Sequence, residues 1–183
     1  MNNQNEIPPL IFGVRNWITD WTTIRFGKYG GKSLPEIIFE DADYFFFLYE
    51  NYFFHGDLEK EANYLYPRAR SIKVPSKNGK KMLIKYFFNR NEKSRRVKFY
   101  KMKLIPDGSD RGRSNVSSWI DFYLPRSPRS HSHFDKTGYE NFVMGLKSIL
   151  FNNPVLRMYH NACEEFFNDK NNFDLRRVEE MES

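Results

Sequence analysis

The chain has 183 residues and a formal net charge of +6, and 40% of its residues are hydrophobic and 17% aromatic. This composition excludes a disordered tail and a membrane-embedded chain, and the length suffices for one domain with a core rich in aromatic rings. The single cysteine excludes a disulfide framework, and the amino terminus lacks a signal-peptide pattern, so we expect a cytoplasmic protein without membrane association.

A short strand and a tight turn are predicted near the amino terminus. Residues 22–26 are β-branched and aromatic, which is typical of a strand. Three glycines follow: Gly27, Gly30 and Gly31. They predict a tight turn in which at least one residue has a positive φ. Ser33 and Glu36 have the spacing of a capping box, so a helix should begin directly after the turn.

Two helical patterns complete the first 67 residues. Apolar and aromatic side chains between Tyr44 and Phe54 recur close to helical spacing, which predicts a buried helix. Residues 57–66 favour another helix, and Pro67 should end it, because proline lacks the N–H group that continues a helix.

The middle of the chain is predicted to form a basic antiparallel sheet. Four segments have strand patterns: residues 71–75, 82–88, 95–105 and 115–124. The pair Asn78-Gly79 is the strongest short signal for a hairpin, so the first two of these strands should pair through it. Residues 68–103 hold 14 Lys/Arg and one acid, a net charge of +13, whereas residues 1–67 hold 5 Lys/Arg and 10 acids, a net charge of −5.

Helical patterns return at the carboxyl end. Two helices with apolar stripes are predicted within residues 137–168, the second beginning at Pro154, and the polar residues 169–183 should form a weakly held tail. Helices followed by strands and then helices predict an α+β fold, with a sheet over about residues 71–124 flanked by helices. We expect one compact domain with four parts: a strand-turn-helix module at 1–67, the basic sheet at 68–136, a helical pair at 137–168 and a polar tail at 169–183.

The turn resembles a known family. Residues 26–32 read FGKYGGK and lead through a short helix into an aromatic helix. Over residues 24–54, this pattern resembles the small module at the carboxyl terminus of exodeoxyribonuclease X and in related bacterial and phage proteins. The resemblance implies an association with nucleic-acid proteins of bacterial or phage DNA metabolism. It implies no exonuclease activity, since we expect the chain to lack the D-x-E motif that helps such enzymes to hold two metals.

Basic side chains suggest where a nucleic acid would bind. Lys28 and Lys32 flank the glycine turn and could contact a phosphate, or they could remain solvated while the aromatic residues pack. In the predicted strands Lys and Arg alternate with Tyr and Phe, which places cations on one face. If some rings share that face they can stack on unpaired bases, and otherwise binding is purely electrostatic.

The candidate phosphate contacts are therefore Lys28, Lys32, Lys81, Lys85, Arg95, Arg96, Lys98 and Lys101, and the candidate stacking residues are Phe99 and Tyr100. As surface residues, the two lysines of the turn should matter little for stability, unlike its glycines.

Two other groups of residues suggest chemistry less strongly. His131, His133 and Asp135 have the spacing of metal ligands, but their surroundings predict a polar loop, so no metal site is predicted. Cys163 lies on the apolar stripe of the last predicted helix, which favours a buried structural thiol. No nuclease, hydrolase or metal motif is complete, which favours a protein without catalytic activity and without a cofactor.

The sequence thus predicts a non-catalytic nucleic-acid-binding or nucleoprotein-associated module, and it leaves open DNA or RNA and single or double strands. The alternative is a small phage-type inhibitor or adaptor that binds a host protein complex. The net charge of −5 in residues 1–67 favours this alternative, because an acidic surface can occupy a site made for nucleic acid.

Overall fold

A computed structural model describes residue 18 and residues 20–90, 97–108, 115–129 and 136–182. These residues form an α+β fold of helices and antiparallel sheets, as the order of the sequence patterns predicts. None of the helices in these ranges has the length and the apolar character needed to cross a bilayer.

Helices occupy both ends of the described chain and strands its middle. The helices are α1 (Leu34–Glu50), α2 (Asp57–Ala69), α3 (Lys136–Phe151), α4 (His160–Asn168) and α5 (Leu175–Glu182). The strands are β1 (Ile72–Lys73), β2 (Met82–Arg90), β3 (Val97–Pro106), β4 (Val116–Ser117) and β5 (Trp119–Ile120). Short 3-10 turns lie at Gly27–Tyr29, Leu124–Arg129 and Lys170–Asn172.

Helix α1 begins at the predicted capping box and bends once. The Glu36 carboxylate accepts a hydrogen bond from the Ser33 N–H at 2.9 Å, which satisfies a backbone donor at the helix start. Asp41 has non-helical φ and ψ of −155° and 73°, and its carboxylate accepts from the Tyr44 N–H at 3.1 Å. Asp41 therefore acts as an internal N-cap, which divides α1 into two helical segments. The helix ends at Glu50, and not at Phe54 as its pattern predicted.

Helix α2 continues through Pro67, so the predicted end at this residue is wrong. Pro67 lies in the last turn, where the helix loses a single backbone hydrogen bond before it ends at Ala69. Leu65 and Ala69 are fully buried on either side of Pro67, and their packing holds the last turn in place.

The strands form two sheets, and the predicted pairing of the first two strands is wrong. Strand β1 pairs with β5 through Ile72 and Ile120, whereas β2 is the centre of a separate sheet of order β3-β2-β4. Asn78 and Gly79 do form a tight turn with φ of 52° and 69°, but the turn closes only a bridge between its immediate neighbours. Pro75 precedes this turn and has no N–H to donate, which removes one hydrogen bond from any ladder between the turn and β1.

Helix α3 covers one side of the hairpin formed by β2 and β3. Phe99 on β3 meets Phe142 on α3 with ring centroids 5.5 Å apart, in an edge-to-face contact. Gly145 permits the close approach of α3, because a Cβ at this position would lie 3.1 Å from Met102 Cγ. The aromatic core thus continues from the helices into one face of the sheet.

The carboxyl-terminal segment belongs to the core, and the predicted weakly held tail is wrong. Phe173 and Val178 are each 2% exposed. Phe173 stacks on Phe167 at 5.7 Å and forms a backbone bridge with Ile72. Burial of these two apolar side chains stabilises the segment, although its overall composition is polar.

Two other predicted elements are shorter than expected. Helix α4 begins at His160, because the residues after Pro154 form an open turn in which Val155 is 79% exposed. The strand predicted over 115–124 divides into β4 and β5, which belong to different sheets.

Candidate nucleic-acid interface

One side of the β2–β3 hairpin faces away from α3 and carries the basic residues. Tyr86 and Met102 form a cross-strand pair that is buried toward α3. The pairs on either side of it point the other way: Lys85 with Lys103, and Phe87 with Lys101. We call this side of the hairpin the outer face. An antiparallel sheet with one face packed and the other solvated commonly has this arrangement.

A β-bulge determines which aromatic ring reaches the outer face. The register between β2 and β3 shifts after Phe87, so that Tyr100 is inserted opposite it without a ladder partner. The buried residues Phe99 and Met102 are three positions apart, which regular alternation along a strand does not allow. The insertion changes the direction of the Tyr100 side chain, which is 49% exposed next to Lys101.

Rings and ammonium groups are interleaved on the outer face. The Lys101 Nζ lies 5.3 Å from the centroid of the Phe87 ring and 5.2 Å from that of Tyr100. The Lys85 Nζ lies 5.8 Å from the Phe87 ring. These distances are within the range of cation–π attraction, which orients the cations beside the rings.

The outer face has no acidic residue of its own. Strands β2, β3 and β4 contain neither Asp nor Glu. Lys85 and Lys103 are direct cross-strand neighbours, a placement that is unfavourable for like charges in the free protein. A bound polyanion would relieve this repulsion. Lys81 lies near the end of the hairpin, where Asp107 approaches its Nζ to 3.8 Å and offsets part of its charge.

The prediction that Phe99 stacks on bases is wrong. Its side chain is 3% exposed and contacts Phe88 and Phe142 in the core, so it cannot meet a ligand without unfolding the hairpin. Phe87 takes its place on the outer face. Its position two residues after Lys85 was the available signal, because residues two apart on a strand share a face.

The glycine turn packs against the bend in α1. Gly27 and Gly31 have φ of 68° and 89°, which confirms the predicted positive φ. A Cβ at Gly27 would overlap the Tyr44 hydroxyl, whereas a Cβ at Gly31 would meet open space. The Tyr29 and Tyr44 rings pack edge to face at 5.2 Å.

Both lysines of the turn have acidic partners within the chain. The Lys28 Nζ lies 2.6 Å from the Asp41 carboxylate, which also accepts from the Tyr29 hydroxyl at 3.0 Å. Lys32 forms an ion pair with Glu40. We therefore assign these lysines to the packing of the turn on α1 and leave them out of the proposed interface.

The remaining candidates are a cysteine, an acidic triplet and several residues outside the described ranges. Cys163 is 1% exposed, which confirms the predicted buried cysteine, and this burial raises the pKa of its thiol to about 12. The expectation that the chain lacks a D-x-E triplet is wrong, because Asp57-Leu58-Glu59 matches it. This triplet begins helix α2 instead of lying on a strand, and Asp57 pairs with Lys60 at 2.9 Å. Within the described ranges no group of three or more His, Cys, Asp or Glu could hold a metal ion. The candidates Arg95, Arg96, His131, His133 and Asp135 lie outside the described residues.

Comparison of the chain with protein-family models, with curated proteins and with solved structures found no match. The resemblance of residues 24–54 to the exodeoxyribonuclease X module therefore stays a prediction.

Proposed function

We propose that the protein is a non-catalytic module that binds single-stranded nucleic acid on the outer face of the β2–β3 hairpin. The observation that carries the proposal is the bulge that turns Tyr100 outward beside Lys101 and Phe87, on a sheet without acidic residues. Nucleic-acid-binding surfaces that accept any sequence combine these two features, a positive groove and exposed aromatic rings.

The two kinds of side chain have separate tasks in this proposal. Lys85, Lys98, Lys101 and Lys103 attract the phosphates, which makes the affinity fall as the salt concentration rises. The half-exposed ring of Tyr100 stacks on one base, and the partly buried Phe87 contacts the neighbouring base. Stacking of one base on an aromatic side chain contributes about 1–3 kcal/mol.

Single strands fit this surface better than duplexes. In a duplex the faces of the bases are already stacked, so the rings of the outer face could contact only the sugar-phosphate backbone. An unpaired strand can place a base on Tyr100 while its phosphates lie near the lysines. The context implied by the resemblance, bacterial or phage DNA metabolism, provides such strands.

Fluorescence anisotropy with a labelled oligo-dT at low salt tests the proposal. Tyr100→Leu keeps an apolar side chain but removes the ring, and it should weaken binding about fivefold to a hundredfold. Lys101→Gln should also weaken binding and should lower the slope of log affinity against log salt concentration by about 0.7.

Matched controls lie on other elements of the fold. Tyr159 is 66% exposed at the start of α4, and Lys60 lies on α2, so Tyr159→Leu and Lys60→Gln should bind like the parent. A duplex of the same length should bind more weakly than the single strand. The proposal fails if the parent shows no binding at micromolar protein, or if the control variants lose as much affinity as the variants of the outer face.

A further inference from the structure

A second surface lies in the acidic first part of the chain, between the end of α1 and the start of α2. There a groove of about 370 Å³ is lined by aromatic rings and carboxylates. The rings are those of Tyr49, Tyr52 and Phe54, and the carboxylates are those of Glu50 and Glu59. We call it the aromatic groove. No strand of the β2–β3 hairpin contributes to its lining, so it is separate from the outer face.

Tyr52, at the rim of the aromatic groove, occupies a position at the end of α1 where glycine is usually found. The Tyr52 N–H donates to the Tyr49 carbonyl at 3.1 Å and the Phe53 N–H donates to the Leu48 carbonyl at 3.0 Å, which together form a Schellman motif. The residue at the position of Tyr52 in this motif is usually glycine, because the backbone is left-handed there. Tyr52 has φ of 58°, which is unfavourable for a residue with a Cβ.

Contacts of the Tyr52 side chain within the described chain offset little of the free-energy cost of this backbone conformation. The Tyr52 side chain is 85% exposed. Phe53 follows it, is 49% exposed, and stacks with the 46% exposed Phe47 at a centroid distance of 6.0 Å. Local strain combined with exposed aromatic side chains is typical of a binding site, because contacts with a ligand offset the free-energy cost of the strain and of the exposed apolar surface.

The charge of the aromatic groove specifies a cationic ligand. Its lining contains two carboxylates and no basic side chain. Arg126 reaches Glu50 at 2.8 Å, but the same guanidinium lies 2.9 Å from Asp43, so one positive charge serves two carboxylates. Rings beside excess negative charge favour a cation, and a planar guanidinium can stack on tyrosine while it donates to a carboxylate.

We propose that the aromatic groove binds an arginine side chain presented by a segment of another protein. The guanidinium stacks on the exposed ring of Tyr52, with Glu59 as its carboxylate partner. The Tyr49 ring already stacks on Tyr66 at 4.2 Å and forms part of the groove wall. The exposed pair of Phe47 and Phe53 next to Tyr52 extends the contact to apolar residues beside the arginine. A peptide segment can cover both surfaces at once, which a small free cation cannot.

Isothermal titration with two matched peptides tests the proposal. One peptide carries a single arginine between alanines, and the other carries citrulline, which has nearly the same shape without the charge. The arginine peptide should bind at least fivefold more tightly. Glu59→Gln, which removes the charge of a carboxylate that is not bound to Arg126, should weaken binding of the arginine peptide by a similar factor.

Tyr52→Gly separates the stability of the fold from binding. Glycine suits the left-handed backbone, so this variant should melt higher than the parent and yet bind the arginine peptide at least fivefold more weakly. Asn152 also has a positive φ, of 52°, directly after α3, and Asn152→Gly is the matched control that should leave peptide binding unchanged.

Three results would overturn the proposal. They are equal binding of the citrulline peptide, undiminished binding by Tyr52→Gly, and no detectable binding of the arginine peptide at millimolar concentration. Self-association of the chain that the arginine peptide displaces would reassign the aromatic groove to a second copy of the chain. The oligo-dT affinity of Tyr52→Gly should equal that of the parent, so failure of this inference is distinguishable from failure of the nucleic-acid proposal.

Discussion

Replacing Lys28 by alanine should destabilise the fold, although the side chain lies at the surface. The Asp41 carboxylate is held by three donors: the Lys28 ammonium at 2.6 Å, the Tyr29 hydroxyl at 3.0 Å and the Tyr44 N–H at 3.1 Å. Loss of the ammonium leaves a buried negative charge with two neutral donors. The same carboxylate caps the second segment of α1, so the perturbation reaches the helix as well as the turn.

The burial of Asp41 and Lys28 determines how much Lys28→Ala changes the free energy of unfolding. The Asp41 side chain is 4% exposed and that of Lys28 is 54% exposed, so water reaches the ammonium readily and the carboxylate hardly at all. Hydrogen bonds to charged groups contribute about 1.5–3 kcal/mol, and exposed ion pairs contribute about 0–1 kcal/mol. We therefore expect Lys28→Ala to lower the free energy of unfolding by about 1–2 kcal/mol, which is more than a solvated surface lysine would contribute.

Urea unfolding followed by circular dichroism measures this change in the free energy of unfolding. In thermal unfolding, the melting temperature of a chain of this size should fall by about 2–8 °C. Asp41→Asn retains a good capping residue but removes the charge, and its effect should not add to that of Lys28→Ala. Lys60→Ala is the control, because the pair of Lys60 with Asp57 is exposed on both sides. If Lys28→Ala melts with the parent and with Lys60→Ala, the lysine is only solvated and the reasoning is wrong.

Three further predictions follow from the core and the turn. Gly27→Ala should lower the melting temperature more than Gly31→Ala, since both glycines have positive φ but only a Cβ at Gly27 would meet another side chain. Burial raises the pKa of Asp121 to about 6, so the folded state binds a proton that the unfolded state releases above about pH 4. The free energy of unfolding should therefore fall between about pH 4 and pH 6, and urea titrations of Asp121→Asn should show a smaller fall. Cys163 should react with a thiol reagent such as Ellman's reagent only after addition of denaturant, and rapid labelling of the native protein would contradict its burial.

Features that depend on neighbouring residues were visible in the sequence. The capping box of Ser33 and Glu36 spans one helical turn, and the glycines that follow residue 26 are needed by the backbone of the turn itself. The apolar stripe of α3 and the burial of Cys163 follow from helical periodicity in the same way. The α+β class follows from the order of such segments, which is why it could be predicted without knowledge of any tertiary contact.

Pairing between distant segments could not be predicted from the sequence. Strand β1 pairs with β5, from which it is separated by 46 to 48 positions in the sequence, because Ile72 and Ile120 are buried together. Phe173 joins the same cluster from a segment whose composition is polar. The free energy of such pairing comes from apolar area that becomes buried only when the segments meet, and no local pattern records which segments meet.

The candidate interface depends on both kinds of information. The sequence alone determined that the positive charge lies in residues 68–103 and that lysines alternate with rings there. Only the tertiary structure decided which rings face the solvent. A single inserted residue at Tyr100 reverses the alternation of β3, so that Phe99 turns into the core against α3 and Tyr100 turns outward beside Phe87. The period of a strand is two residues, so one shift in register exchanges its faces, and the register depends on the partner strand and on the helix that packs behind it.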